Sequence, residues 1–140
     1  MPILTVEPAE LARWLTAPPD ARLWVVDVRD DDREGGHIPQ SLHLPSTQFL
    51  TAGADALMSE IQSTLSQSMR HRVVFHCMLS QVRGPKCARI FYDMVQQKQA
   101  DNVQVFVLRG GFSAWHDANA TTRPDLIEDY DAERWRQGFF

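Results

Sequence analysis

The stretch "RVVFHCMLSQVRGPKCARIFYDMVQQK", residues 72–98, changes its hydrophobic period once. Its opening, "RVVFHC", is a continuous apolar run with β-branched residues, which predicts a strand covered on both faces. From Gly84 onward the period becomes helical: Cys87, Ile90, Phe91, Met94 and Val95 share one face, and Pro85 is pre-set for a first turn. Between strand and helix lies a short loop with Cys77 at one end and Arg83 at the other.

Two more runs read like the first. "LWVVDV" and "VQVFVL" are apolar strands, while "ILTV" and "LHL" are shorter strand candidates. Helical spacing recurs in "PAELARWL", with Leu11, Trp14 and Leu15 on one face. It recurs in "TAGADALMSEIQSTLSQSM", with Leu57, Ile61, Leu65 and Met69 spaced by four, and a further helix begins at "FSAWHDAN". The tail "DLIEDYDAERWRQGFF" holds one more helical stretch. Apolar strands alternating with amphipathic helices predict an α/β domain with a mostly parallel central sheet flanked by helices. The chain has 140 residues and no linker or repeat, so residues 1–140 read as one domain. In such sheets ligands sit beyond the carboxyl ends of the strands, where this loop lies.

Composition narrows the function classes. The chain is 44% hydrophobic and 23% charged, with a formal charge of −4, which reads as a soluble globular protein without an electrostatic case for nucleic acid or an anionic membrane. No apolar run approaches the roughly 20 residues of a membrane span, and the N-terminus has no secretory pattern. Two cysteines, Cys77 and Cys87, are too few for a disulfide framework. The cytosol is the expected compartment, with entry to the nucleus left open.

The loop itself suggests chemistry. A strand-to-helix loop exposes successive backbone N–H groups at a helix N-terminus, which makes an anion cradle. Met78, Leu79, Ser80, Gln81 and Val82 supply that backbone, and Arg83 adds a planar fork able to bind two oxygens of a tetrahedral anion. The same donors favour a thiolate on Cys77, which the cradle aims at the anion's central atom. Ser80 is expected to hydrogen-bond the sulfur. Cys-x5-Arg alone is a weak pattern; set between an apolar strand and a Gly-Pro-started helix it is strong. The bland alternative is a buried small cysteine beside a surface arginine.

"HCMLSQVRGP" resembles the active-site loop of the Cdc25-like phosphatases and eukaryotic arsenate reductases, small enzymes of the rhodanese fold. "VVDVRDDDREGGHIPQSLHLP" resembles that family's Asp-x-Arg and Gly-His-Ile stretch, and "VFVLRGGFSAW" its last strand, Gly-Gly turn and aromatic helix start. The three blocks are in family order and span Val25 to Trp115. The resemblance implies a single rhodanese-like domain, with Cys77 and Arg83 catalytic and residues 78–82 binding substrate. It also separates subfamilies: sulfurtransferases of this fold carry a loop one residue shorter. The seven residues from Cys77 to Arg83 match the longer loop, fitted to a tetrahedral oxyanion. Where mitotic Cdc25 enzymes have a cysteine inside the Asp-x-Arg element, this chain has Val28, and where they have an acid after the nucleophile it has Met78 and Leu79. Its tail lacks the cysteines of zinc-binding plant relatives, so no metal and no cofactor are expected.

The reading is a cysteine-dependent phosphatase acting on phosphate monoesters of aryl or phosphotyrosine type. The rival is arsenate reduction at the same loop, with glutathione or glutaredoxin as co-substrate and glutaredoxin as candidate partner. Sulfur transfer through a persulfide and a non-enzymatic phosphate-binding module are further alternatives. Cys87, on the helix's apolar face, is expected to pack in the core. His76 is expected to fix loop backbone, and His37, Asp27 and Arg29 to tie loops together. The cluster "DDDRE", residues 30–34, reads as solvated loop, leaving any general acid unassigned. Trp14, Trp24, Phe91, Phe106 and Trp115 read as core.

Overall fold

The computed structural model describes residues 3–17, 21–63 and 69–137. Among the described residues five strands form one sheet: β1 (Leu4–Val6), β2 (Ala21–Asp27), β3 (Leu42–His43), β4 (Arg70–His76) and β5 (Val103–Leu108). Their spatial order is β1-β5-β4-β2-β3, and every neighbouring pair is parallel. β4, the first strand read from the sequence, is therefore central. Its Val73, Val74 and Phe75 are fully buried. Such side chains each contribute roughly 1.5–3 kcal/mol on leaving water, which explains why this run tolerates no polar alternation.

The helices cover both faces. α3 (Ala54–Gln62) and α4 (Arg83–Gln97) pack on one face, where Leu57, Met58, Ile61, Cys87, Phe91 and Val95 meet Val73, Phe75 and Val105. α1 (Pro8–Thr16) and α5 (Gly111–Asn119) pack on the other, where Leu11, Phe112 and Trp115 meet Val25, Val74 and Phe106. A last helix, α6 (Ala132–Gln137), carries Trp135, which lies 3.8 Å from the His116 ring in a near-parallel stack. The α/β class, the parallel sheet and the flanking helices are as the sequence implies.

One helix departs from expectation. The segment expected over residues 51–69 begins earlier, with α2 (Ser46–Gln48) running through a π-helical turn (Phe49–Gly53) into α3, and α3 ends at Gln62. Leu65 lies outside the described residues. Met69 is not on the helix but precedes β4, and it is exposed. The aromatic residues behave as core: Trp24, Phe91, Phe106 and Trp115 are buried, and Trp14 is half-buried against Phe106. Among the described residues no helix is long and apolar enough to cross a membrane.

Candidate active site

Cys77 follows β4 directly, at the middle of the sheet's carboxyl edge. The loops after the two neighbouring strands, β2 and β5, flank it. Cys77 is buried at 3% exposure, and its Sγ accepts a hydrogen bond from the Gly84 backbone N–H at 3.2 Å. That donor belongs to the first turn of α4, whose N-cap residue, Val82, makes no side-chain cap. The first intrahelical bond runs from Lys86 N–H to the Val82 carbonyl, and Pro85 has no N–H. The open N-terminus of a 15-residue helix therefore faces the sulfur and favours negative charge there.

Two glycines permit this closeness. A Cβ on Gly84 would stand 3.3 Å from both the Cys77 nitrogen and the His76 Cα. Gly111, at φ +63°, would bring a Cβ to 2.5 Å from the Met78 carbonyl oxygen and 2.6 Å from that of Cys77. Instead, the start of α5 donates to these carbonyls: Phe112 N–H to Cys77 O and Ser113 N–H to Met78 O, both at 2.9 Å. In a trans peptide the N–H points away from its carbonyl, so the Met78 and Leu79 N–H groups face away from α5. The chain reverses at Ser80, which takes φ +55°.

The expected loop residues are thus brought together, but unequally. Met78 is half-buried and held through its carbonyl, while Leu79 and Val82 are exposed at 50% and 71%. Gln81 is exposed as well. Ser80 does not bond the sulfur: its Oγ is buried without a hydrogen-bond partner, and the donor to Cys77 Sγ is the Gly84 N–H instead. Gly84 was not anticipated as a site residue; the Arg-Gly-Pro start of the helix was its only trace in the sequence.

Arg83 holds two aspartates that the sequence reading left in solvent. Its guanidinium bonds both oxygens of Asp32, at 2.9 and 2.6 Å, and Asp30 Oδ2 at 3.3 Å. Asp30 also accepts from the Ser46 hydroxyl at 3.0 Å. Burial opposes ionisation of Asp32, but the Arg83 bond outweighs it and holds the carboxyl below its ordinary range. The segment 30–34 is accordingly part of the site's wall rather than free loop. A cavity of about 420 Å³ shares Asp30 with this wall and is lined also by Asp31, Glu34, His37, His43 and Asp129; Cys77 does not line it.

Behind the loop lies a buried polar layer. Asp27 and Arg29, both fully buried, form a bidentate pair, with Arg29 Nη2 at 2.8 Å and Nε at 3.0 and 3.2 Å from the carboxylate. Arg29 also donates to the Gly36 carbonyl at 2.9 Å and lies over the Phe112 ring at 4.1 Å. His76 donates from Nδ1 to the Cys77 carbonyl at 3.2 Å, and its Nε2 lies 3.9 Å from Asp27. Burial pulls the His76 pKa down, against the pull of Asp27. His37 exchanges two backbone hydrogen bonds with Glu128, at 3.0 and 2.8 Å. These four residues tie loops together, as expected of them.

Cys87 lies one turn into α4 and is 1% exposed. Burial, with Cys77 nearby, pushes its thiol up to about 11. It packs as a core side chain.

A buried cysteine set between a parallel strand and a helix, beside a buried Asp-x-Arg pair, defines a class, and comparison agrees. The rhodanese-like domain matches residues 7–118, and the chain belongs to that family. Within the family it stands beside Cdc25-like phosphatases and arsenate reductases. The CDC25-like phosphatase YCH1 of Saccharomyces cerevisiae is 35% identical over 139 residues, covering 94% of this chain and 93% of that protein. The solved structure of Ygr203w, described as a yeast protein tyrosine phosphatase of the Rhodanese family, aligns with a TM-score of 0.84 at 29% identity, covering 97% and 99% of the two chains. The As-Sb reductase from Leishmania major aligns with a TM-score of 0.71 at 28% identity, covering 98% of each.

Proposed function

We propose that this chain is a cysteine-dependent phosphatase acting on aryl or phosphotyrosine-type phosphate monoesters. The observation that carries the reading is the Gly84 N–H bond to Cys77 Sγ at the open end of α4, with Arg83 one residue before that donor. In the first step the Cys77 thiolate attacks phosphorus, an S–P bond forms, and the ester P–O bond breaks. The leaving oxygen keeps the bonding pair and takes a proton from solvent. In the second step water attacks phosphorus, the S–P bond breaks, and phosphate leaves with the thiolate restored. Arg83 and the amides of residues 78–83 stabilise charge on the equatorial oxygens.

Two features support an aromatic leaving group. Asp32, clamped by Arg83 and held below the ordinary carboxylate range, is ionised and has no proton to give. With Asp32 unable to act as the acid, an ester whose alcohol leaves easily without protonation is favoured, and aryl esters are of that kind. Leu79 and Val82, exposed on the loop itself, give an apolar rim against which a flat ring can rest.

Arsenate reduction is the second reading, favoured by the match to the Leishmania reductase. Arsenate is nearly isosteric with phosphate and would bind the same loop. Reduction then needs an outside thiol, glutathione or glutaredoxin, because Cys87 is buried with a raised pKa. No resident cofactor or metal enters either reading, and both place the oxyanion on Cys77.

An activity panel tests the choice: p-nitrophenyl phosphate alone, arsenate with glutathione and glutaredoxin, and thiosulfate with cyanide. Hydrolysis of the aryl phosphate, needing only a reductant to keep Cys77 reduced, is the expected result. Efficient arsenate reduction without any hydrolysis would replace the first reading by the second.

A further inference from the structure

The guanidinium of Arg83 offers five N–H donors in a rigid plane. Nη1 gives its two to Asp32 Oδ1 and Asp30 Oδ2, and Nη2 gives one to Asp32 Oδ2. One edge of the group is thereby gripped by a carboxylate. The adjoining edge, Nε–H with the second Nη2–H, has no partner among the described residues. That edge is itself a complete two-donor fork, the kind that matches two oxygens of a tetrahedral anion.

Asp32 is in turn held from behind. Its Oδ1 accepts the Asp30 N–H at 3.0 Å, and its carbonyl accepts from Arg29 Nη1 at 3.4 Å. Arg29 is fully buried and bonded to Asp27, whose carboxylate faces His76, the residue before the nucleophile. A continuous set of fixed groups thus runs from one end of the loop, at Cys77, through the Asp-x-Arg stretch to its other end, at Arg83. Asp30 is the looser contact: its single bond to Arg83 is 3.3 Å long and its side chain is 38% exposed, against 17% for Asp32.

We propose that Asp32 is a positioning residue, gripping one edge of Arg83 so that the free Nε–Nη2 edge faces an oxyanion held over Cys77. The inference rests on the reading of residues 77–83 as an oxyanion cradle, but not on which reaction follows. Its value to the site is orientational. A long arginine side chain left free would lose rotamer entropy on binding, whereas a clamped one is already in place.

The sign of one measurement separates this role from its rivals. Asp32→Asn removes a negative charge from beside a bound anion, so charge alone would make the anion bind more tightly. If the pair were instead a latch that withholds Arg83, the substitution would also tighten binding. Positioning demands the reverse. Binding of tungstate, an unreactive tetrahedral oxyanion, is measured by titration calorimetry on wild type, Asp32→Asn, Arg83→Lys and the double variant. The expected result is about tenfold weaker binding by Asp32→Asn, the scale of one lost charge-assisted hydrogen bond. In the Arg83→Lys background Asp32→Asn should cost little more, because it acts only through the arginine. Asp32→Ser carries the same expectation if the Asn variant fails to fold. Asp30→Asn should weaken binding less than Asp32→Asn. Wild type that binds tungstate while Asp32→Asn binds as well or better overturns this inference alone. Wild type that binds no tungstate overturns the cradle and the inference together. A cradle that binds tungstate but turns over no aryl phosphate leaves the inference standing and removes the phosphatase reading.

Discussion

At Cys77 and Cys87 one side chain type meets two environments about ten positions apart in sequence. Cys77 receives an amide hydrogen bond at a helix N-terminus, and Cys87 is surrounded by core with its thiol pushed up to about 11. Near pH 8 iodoacetamide should therefore label Cys77 and leave Cys87 intact until the chain unfolds, as peptide mass mapping would show. Labelling of both at equal rates would contradict the assignment. Cys87→Ser places a hydroxyl in an apolar site and should destabilise by roughly 1–3 kcal/mol, yet retain arsenate reduction if that activity exists. Its selective loss would make Cys87 a resolving thiol. Cys77→Ser should abolish turnover and still bind tungstate. Arg83→Lys should lose on the order of 100-fold in kcat, because a point charge offers no fork. A fully active lysine variant would remove Arg83 from the mechanism.

The loop of residues 77–82 is shaped less by its own sequence than by α5. Its first two carbonyls are bonded by Phe112 and Ser113, and Gly111 is the one residue type that lets α5 start so near them. Gly111→Ala would be strained twice, by a positive φ and by contacts near 2.5 Å to two backbone oxygens. Those oxygens belong to backbone and cannot rotate away, so the loop must shift. The expected outcome is a loss of activity and tungstate binding beyond what the fall in Tm explains. A variant that melts lower but binds tungstate as wild type does would show that the loop holds its shape without α5. Element by element, strand β4, its loop and α4 were readable in the sequence because the hydrophobic period changes there from continuous to helical. The start of the α2–α3 helix was not, since a π turn has no side-chain signature, although Pro45-Ser46 is a start signal. Asp30 and Asp32 were seen as charge and misplaced as solvent. Their contact with Arg83 depends on β2 lying beside β4, and strand order is not written in either strand.

Across the whole molecule, the Asp27–Arg29 pair joins the sheet's carboxyl edge to the loops that wall the site, and its burial makes the fold sensitive to acid. Burial opposes ionisation of Asp27, yet the Arg29 guanidinium bonded to it holds its carboxyl well below the ordinary 3.8, while His76, kept neutral by burial, adds its pull only once it takes up a proton. A carboxyl with a depressed folded pKa adds stability that is fully present above the unfolded value and disappears as pH falls toward the folded one. His76 follows the same sign from a higher starting point: burial lowers its pKa from 6.5, so the unfolded chain takes up its proton first. Two stages of acid destabilisation follow, one beginning below about pH 6.5 from the buried histidine and a second below about pH 4 from the carboxylate. Urea unfolding followed between pH 7 and pH 3 should show both. Asp27→Asn leaves Arg29 buried with its charge uncompensated, so it should cost about 3 kcal/mol or more at pH 7. It should also flatten the lower stage, because the proton-linked group is gone. Equal stability of variant and wild type at pH 7, or an acid limb unchanged in slope, would mean that Arg29 finds its compensation in the Gly36 carbonyl and the Phe112 face rather than in Asp27.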